Sequence, residues 1–129
     1  MWPDRQNETS SQATEQATPR VAVIIPCYNE AVTIAKVVKD FNAALPRAQI
    51  YVFDNNSQDG TAQIAGDAGA IVRFEYQQGK GHVVRRMFAD VEADIYVMVD
   101  GDDTYDSSIA PTLVELLKRN HVDMVVGTR

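Results

Sequence analysis

The sequence predicts an α/β fold: a mostly parallel sheet with helices on both faces, of the Rossmann-like kind. From Arg20 onward, short runs of β-branched and aromatic residues alternate with segments whose apolar residues recur at helical spacing. The connections between them are short, which favours right-handed strand–helix–strand units and therefore parallel strands. Polar clusters follow several of the strands, at the sheet edge where ligands bind in such folds.

The first half of the domain supplies two strands and one helix. Residues 21–25 form a continuous apolar run, typical of a strand buried on both faces, and Pro26 is predicted to end it. In residues 31–45 the apolar positions recur three and four apart, which predicts a helix that Pro46 closes. Residues 50–53 are predicted to be the second strand.

The second half continues the alternation. The predicted strands are 70–74, 95–99 and 123–126, and the predicted helices are 61–68, a segment after 79–81 with apolar Val83, Val84, Met87 and Phe88, and 107–119. Pro111 falls in the first turn of the last helix, where no intrahelical N–H is lost.

Composition limits the size and the partners of the domain. The 129 residues suffice for one domain, expected over residues 20–129. The net charge of −6 gives no support for nucleic-acid binding, which needs a basic surface. Cys27 is the single cysteine, so an internal disulfide is excluded and a reducing, cytoplasmic compartment is expected.

The amino-terminal residues 1–19 are rich in Gln, Ser, Thr and Glu. They contain no apolar run, so we expect a disordered polar tail and no signal peptide. Nowhere in the sequence do about 18 consecutive apolar residues occur, so no membrane span is predicted.

The first polar cluster, residues 26–30, follows the first strand. Tyr28 is an aromatic residue at a strand exit and is able to stack on a base. Glu30 is placed either to cap the next helix or to hydrogen-bond a ribose. The alternative, which stays open at this point, is that Asn29 and Glu30 only start the helix.

The second cluster, residues 54–61, follows the second strand. Asn, Asp, Ser and Gly are the usual turn residues, and taken alone the segment favours a turn with a helix cap. In the other interpretation, Asp54 or Asn55 recognises the edge of a base. An EF-hand calcium loop is excluded, because no register places Gly at its sixth position and Glu at its twelfth.

The third cluster, residues 100–106, contains Asp100, Asp102, Asp103 and Asp106. Adjacent carboxylates repel one another, and a hard divalent cation removes that cost. The pattern favours a metal site at Asp100 and Asp102 over a solvated loop, with Asp106 as a helix cap.

Residues 79–81 form a Gly-Lys-Gly segment. It is not a Walker A loop, because Phe74 stands where that motif needs its first Gly. Lys80, near a helix start, either contacts a diphosphate or belongs to an ordinary connection.

Together and in this order, the segments resemble family 2 glycosyltransferases of the GT-A fold, nearest to dolichyl-phosphate mannosyltransferase-like and related bacterial members. The matching segments are 26–30, 54–61, 79–81, the Asp-Gly-Asp form of the DxD motif at 100–102, and 126–129. The resemblance covers residues 21–129.

The resemblance implies metal-dependent binding of a nucleotide-diphosphate sugar and inverting hexosyl transfer to a lipid-phosphate or saccharide acceptor of the cell envelope. The nucleotide-sugar contacts that it implies are Pro26, Tyr28, Glu30, Asp54, Asn55, Lys80, Asp100 and Arg129. Asp100 and Asp102 would hold Mg²⁺ or Mn²⁺, and Asn55 stands where many relatives have a second acidic residue. Peripheral association with the inner face of the membrane and self-association are further expectations.

No catalytic base is assigned. In the family this base lies beyond the position of Arg129, so the resemblance implies a domain that is incomplete at its carboxyl end. A non-catalytic nucleotide-binding module is the alternative function. A receiver-like domain is disfavoured, because its acidic residues come from the ends of the first and third strands, where this chain has Cys27 and Phe74.

Overall fold

The computed structural model describes residues 19–103, 106–120 and 124–126. The strands are β1 (Val21–Cys27), β2 (Gln49–Asp54), β3 (Ile71–Phe74), β4 (Ile95–Met98) and β5 (Met124–Val126). The helices are α1 (Ile34–Ala44), α2 (Thr61–Asp67), α3 (Lys80–Asp90) and α4 (Ala110–Asn120), with a 3₁₀ turn (Ser107–Ile109) before α4. The predicted alternation is confirmed, and the predicted tail lies outside the described residues except for Pro19.

The described strands form one parallel sheet in the order β3-β2-β1-β4-β5. Strand β1 is central and pairs with β2 on one side and with β4 on the other. From β1 the chain adds β2 and β3 on one side, and it then crosses back to add β4 and β5 on the other side. This reversal of strand order leaves a crevice outside the carboxyl ends of β1 and β4. In open α/β sheets this switch point is where ligands bind.

Helices cover both faces of the sheet because alternate residues of β1 point to opposite sides. Val23, Ile25 and Cys27 join a core cluster with residues of α1 and α4. Ala22 and Ile24 join a second cluster on the other face with residues of α3. The predicted layer arrangement is therefore confirmed.

Pro26 does not end the first strand, contrary to the prediction. Pro26 pairs with Phe53 of β2, and Cys27 pairs with Asp54. The backbone of Ile24 faces β4, where its carbonyl accepts a hydrogen bond from the Val99 N–H. Pro26, two residues later, faces the same side, but β4 has ended there, so no ladder bond needs its missing N–H. The longer strand brings Cys27 to the crevice.

The Gly-Lys-Gly segment is part of a helix rather than a separate loop. Lys80 is the first residue of α3, and Gly79 before it has a φ of 129°, a conformation that favours glycine. The side chain of Lys80 therefore starts from a fixed position at the crevice.

None of the helices in the described ranges has both the length and the apolar character that crossing a bilayer requires.

Candidate functional site

A cavity of about 380 Å³ opens at the carboxyl ends of β1 and β4. It is lined by Pro26, Cys27, Tyr28, Glu30, Asn55, Gln78, Gly79, Lys80, Val83, Asp100 and Asp102. Most of the predicted site residues are thus brought together. Asp54 lies outside the lining, and Arg129 lies outside the described residues. Cys27, Gln78, Gly79 and Val83 line the cavity although the sequence did not single them out as contacts.

The loop after β1 holds Tyr28 at the cavity rim. The side chain of Tyr28 is 52% exposed, so it is not a core residue. Asn29 adopts a left-handed φ of 55°, and its side-chain oxygen accepts a hydrogen bond from the Gln58 N–H at 2.9 Å. The Glu30 N–H donates to the Thr61 hydroxyl oxygen at 2.9 Å. These contacts fix the loop against the segment that follows β2.

Neither Asn29 nor Glu30 caps α1 with its side chain. The N-cap residue of α1 is Thr33, and no side-chain capping bond forms there. The backbone carbonyl of Glu30 accepts the N–H groups of Thr33 and Ile34 instead. The capping interpretation is therefore wrong for both side chains, and the carboxylate of Glu30 is left to face the cavity.

The segment after β2 is a turn, as one of its two interpretations predicts. Asn56 and Gly60 have positive φ values of 68° and 86°. Asp59 accepts hydrogen bonds from the Thr61 N–H and hydroxyl and from the Ala31 N–H. The hydrogen bond from the Thr61 hydroxyl is the main cause that lowers the pKa of Asp59 below its ordinary value. The turn thereby joins the segment that leads into α1 to the start of α2.

Asn55 is 4% exposed, and its amide is fully used inside the protein. The side-chain nitrogen donates to the carbonyls of Glu75 and Gln77 at 2.8 and 2.9 Å. The side-chain oxygen accepts from the Gly79 N–H at 2.9 Å and from the Gln78 amide at 3.1 Å. An amide has two donors and two acceptor lone pairs, so none remains to recognise a base. Asn55 positions the start of α3.

Of the two predicted base contacts, Asp54 is the one that keeps an unpaired acceptor atom, although it lies outside the cavity lining. It is 3% exposed, and its Oδ2 accepts a hydrogen bond from the Ser57 N–H at 3.1 Å. Its Oδ1 is buried and has no hydrogen-bond partner within the described part of the chain. Because an unpaired buried acceptor costs about 1–3 kcal/mol, a donor N–H supplied by a ligand would be stabilising there.

Two of the acidic residues of the third cluster, Asp100 and Asp102, flank a buried glycine. A Cβ atom on Gly101 would lie 2.6 Å from Cys27 Sγ and 3.3 Å from Glu30 Cγ. The Thr33 hydroxyl donates to the Gly101 carbonyl at 2.5 Å. Gly101 therefore rests directly on the end of β1, with Asp100 and Asp102 at the cavity on either side of it.

Asp100 and Asp102 both line the cavity, so the two carboxylates predicted to hold a metal face the same space. Asp106 is excluded from it, because its Oδ1 accepts from the Ser108 N–H and hydroxyl as an N-cap, and these bonds lower its pKa. The described residues contain no group of three or more His, Cys, Asp or Glu side chains placed to hold a metal. One or two carboxylates completed by substrate phosphates is the usual arrangement for Mg²⁺.

The cavity is negatively charged except at Lys80. The Lys80 Nζ lies 2.9 Å from Asp100 Oδ1. Burial, and then the charges of Asp102, Asp100 and Asp59, raise the pKa of Glu30 above its ordinary value. Burial is also the main cause that raises the pKa of Cys27, followed by the nearby carboxylates. Cys27 is consequently a neutral thiol at physiological pH, and it serves as packing rather than as a nucleophile.

The raised pKa of Glu30 predicts a pH-dependent stability change in Glu30→Gln. A carboxyl group whose pKa is higher in the folded state loses stabilisation as the pH rises through that pKa. Glu30→Gln should therefore raise the Tm of the metal-free protein by about 1–3 °C at neutral pH, with the gain vanishing near pH ~4. Thermal unfolding across this range tests it, with exposed Glu92→Gln as the control. A gain that persists at the acidic end would contradict the assigned cause.

Comparison with known proteins connects this site to a family. The family model described as "Glycosyl transferase family 2" matches residues 22–129. The chain is 64% identical over 109 residues to Protein RfbJ of Shigella flexneri, covering 84% of both proteins. It is 29% identical over 117 residues to a dolichol-phosphate mannosyltransferase of Pyrococcus furiosus, covering 85% of this chain and 33% of that protein.

Solved structures share the fold. Glucosyl-3-phosphoglycerate synthase from Mycobacterium tuberculosis, crystallised with Mn²⁺, UDP and glucosyl-3-phosphoglycerate, superposes with a TM-score of 0.71 at 27% identity. The match covers 79% of this chain and 40% of the synthase, so the chain spans less than half of that relative. The same synthase was also crystallised with Mg²⁺ and UDP.

The GT-A fold and the family expected from the sequence motifs are confirmed by these likenesses. The family match covers almost the whole described domain, including both strands that form the crevice. The chain belongs to glycosyl transferase family 2.

Proposed function

We propose that this chain binds a nucleotide-diphosphate sugar together with Mg²⁺ or Mn²⁺ and presents the sugar for transfer to an acceptor. The observation that carries the proposal is the pair Asp100 and Asp102, held on either side of buried Gly101 at the crevice where the strand order reverses. A cation bound there would stabilise the charge of the diphosphate, and Asp100 and Asp102 are the lining carboxylates that stand close along the chain.

The donor set suits a hard divalent cation. Asp100 and Asp102 offer carboxylate oxygens, which Mg²⁺ and Mn²⁺ prefer, and the remaining ligands would come from the substrate diphosphate and water. When bound, the cation would offset the negative charge that develops on the diphosphate leaving group. The fixed backbone of Gly101 would keep the two carboxylates in place beforehand.

The rim of the cavity at Tyr28 suits the nucleoside. Exposed Tyr28 offers a ring face for stacking on the base, and Pro26 and Glu30 line the same cavity. The unpaired Oδ1 of Asp54 would accept a base N–H. The UDP bound to the related synthase makes UDP the first nucleotide to test.

We infer that the transferred group is a hexosyl group and that the configuration at its anomeric carbon inverts. We infer further that the acceptor is a lipid phosphate or a saccharide of the cell envelope, and that transfer takes place at the inner face of the membrane. The similarity to a dolichol-phosphate mannosyltransferase supports the lipid-phosphate alternative. Contact of Arg129 with the nucleotide sugar and self-association of the chain stay predictions.

Calorimetric titration tests the core of the proposal. UDP- and GDP-sugars should bind with Mn²⁺ present and much more weakly after chelation. Asp102→Ala should remove most of this metal dependence. Asp106→Ala is the matched control: it removes a carboxylate from the same loop, should keep the metal dependence, and should cost about 1 kcal/mol of stability as a lost cap. Equal affinity with Mn²⁺ and with chelator would contradict the proposal.

A further inference from the structure

Lys80 carries the one positive charge among the described residues that line the cavity, and it already contacts a proposed metal ligand. Its Nζ lies 2.9 Å from Asp100 Oδ1. Glu30, Asp100 and Asp102 line the same cavity with carboxylates. The ammonium thus offsets part of an excess of negative charge in the protein without substrate.

We propose that Lys80 is a resident counterion that the divalent cation displaces from Asp100, after which the ammonium transfers to the diphosphate of the donor. The inference rests on the proposed function and adds a coupling between its two ligands. The protein binds the cation weakly in the absence of nucleotide and tightly in its presence. Lys80 is then a positioning residue that couples the two ligands.

Charge explains the exchange. A divalent cation is attracted to Asp100 and Asp102 about twice as strongly as the monovalent ammonium at equal distance. Mg²⁺ dehydrates reluctantly, however, and two carboxylates with a competing ammonium are a weak site for it. A diphosphate changes this balance in two ways, because it supplies oxygen ligands to the cation and a new anionic partner for Lys80.

The local structure allows the ammonium to move. The Lys80 side chain is 63% exposed, so its four-carbon stem can reorient without disturbing the core. The two glycines beside Lys80 differ in role: Gly81 has open space where a Cβ would lie, and Gly79 has a φ of 129°, which favours glycine. Lys80 is the first residue of α3, whose leading N–H groups also favour phosphate at this end.

Lys36 of α1 provides a matched control beside the same acidic loop. Its Nζ lies 3.2 Å from Asp103 Oδ1 and 2.7 Å from Asp40 Oδ2. Its side chain is 62% exposed, close to that of Lys80, but Lys36 does not line the cavity. Lys36→Met therefore makes the same change in net charge beside the same loop without altering the site.

The experiment measures two affinities in wild type, Lys80→Met, Lys80→Arg and Lys36→Met. Binding of Mn²⁺ alone is followed by the paramagnetic resonance of the free ion, and binding of UDP at saturating Mn²⁺ is followed by calorimetry. In Lys80→Met the affinity for Mn²⁺ alone should rise about two- to fivefold, because an exposed ion pair competes only weakly. The affinity for UDP should fall about tenfold, because a charged contact to phosphate is lost. Lys80→Arg and Lys36→Met should stay near wild type in both.

The expected rise in affinity for Mn²⁺ and fall in affinity for UDP distinguish this inference from a purely structural role of Lys80, which would lower both affinities. If Mn²⁺ alone binds Lys80→Met no better than wild type, the inference is overturned, whether or not UDP affinity changes. The proposed function fails by a different result, namely wild-type UDP binding that is indifferent to Mn²⁺.

Discussion

Gly101→Ala is expected to lower the free energy of unfolding by about 2–3 kcal/mol and to abolish most metal-dependent nucleotide binding. The added Cβ would lie 2.6 Å from Cys27 Sγ, a distance that requires the backbone or the thiol to move. Cys27 is buried at the end of the central strand, so the flexible partner is the loop that carries Asp100 and Asp102. Stability and the metal site should therefore be lost together.

A double-mutant cycle isolates this contact. Cys27→Ala removes the sulfur, so in the double variant the added Cβ of Gly101→Ala should cost clearly less than it does beside the thiol. Gly66→Ala in α2 is the control, because its Cβ would meet Val72 Cγ2 at an ordinary 3.7 Å and should be neutral or stabilising. Chemical denaturation gives the unfolding free energies. Additive losses in the double variant would show that the Cys27 contact is not the cause.

The fold and the strand ends that carry the candidate site could be predicted from the sequence, because both depend on local patterns. The apolar run of β1 and the helical spacing in α1 each follow from a few neighbouring residues, and parallel topology follows from their alternation. Polar segments such as 54–61 and 100–103 begin at or just beyond the ends of strands, which places them at one edge of a parallel sheet.

The contacts inside the site could not be predicted in the same way. The packing of Gly101 on Cys27 joins residues from two different strand ends, and the four bonds of Asn55 join β2 to the start of α3. Such pairs leave no periodic signal in a single sequence. Pro26 was misjudged for a related reason, because the missing N–H matters only if a neighbouring strand is still present beside it.

Asn55→Asp is expected to destabilise the protein by about 2–4 kcal/mol, although the two side chains have nearly the same shape. The change removes both hydrogen-bond donors to the carbonyls of Glu75 and Gln77 and places a buried carboxylate oxygen against them. An unsatisfied buried carbonyl costs about 1–3 kcal/mol, which applies fully to Glu75 and only in part to Gln77, whose bond is partly buried. The resemblance places an acidic residue here in many relatives, but the segment 75–79 of this chain is arranged around an amide.

The pH dependence and a neighbouring residue make the Asn55→Asp prediction specific. A buried carboxyl that faces two carbonyls is favoured in its protonated form, which can donate one hydrogen bond, so the loss of stability should shrink as the pH falls. Asn56→Asp is the control, because Asn56 also donates to a carbonyl, that of Tyr76 at 3.0 Å, but in a hydrogen bond that is exposed to solvent. It should cost less than about 1 kcal/mol, since water can replace a lost partner there. Equal losses in the two variants would mean that burial of the Asn55 amide does not hold the start of α3, and Lys80 with it, at the cavity.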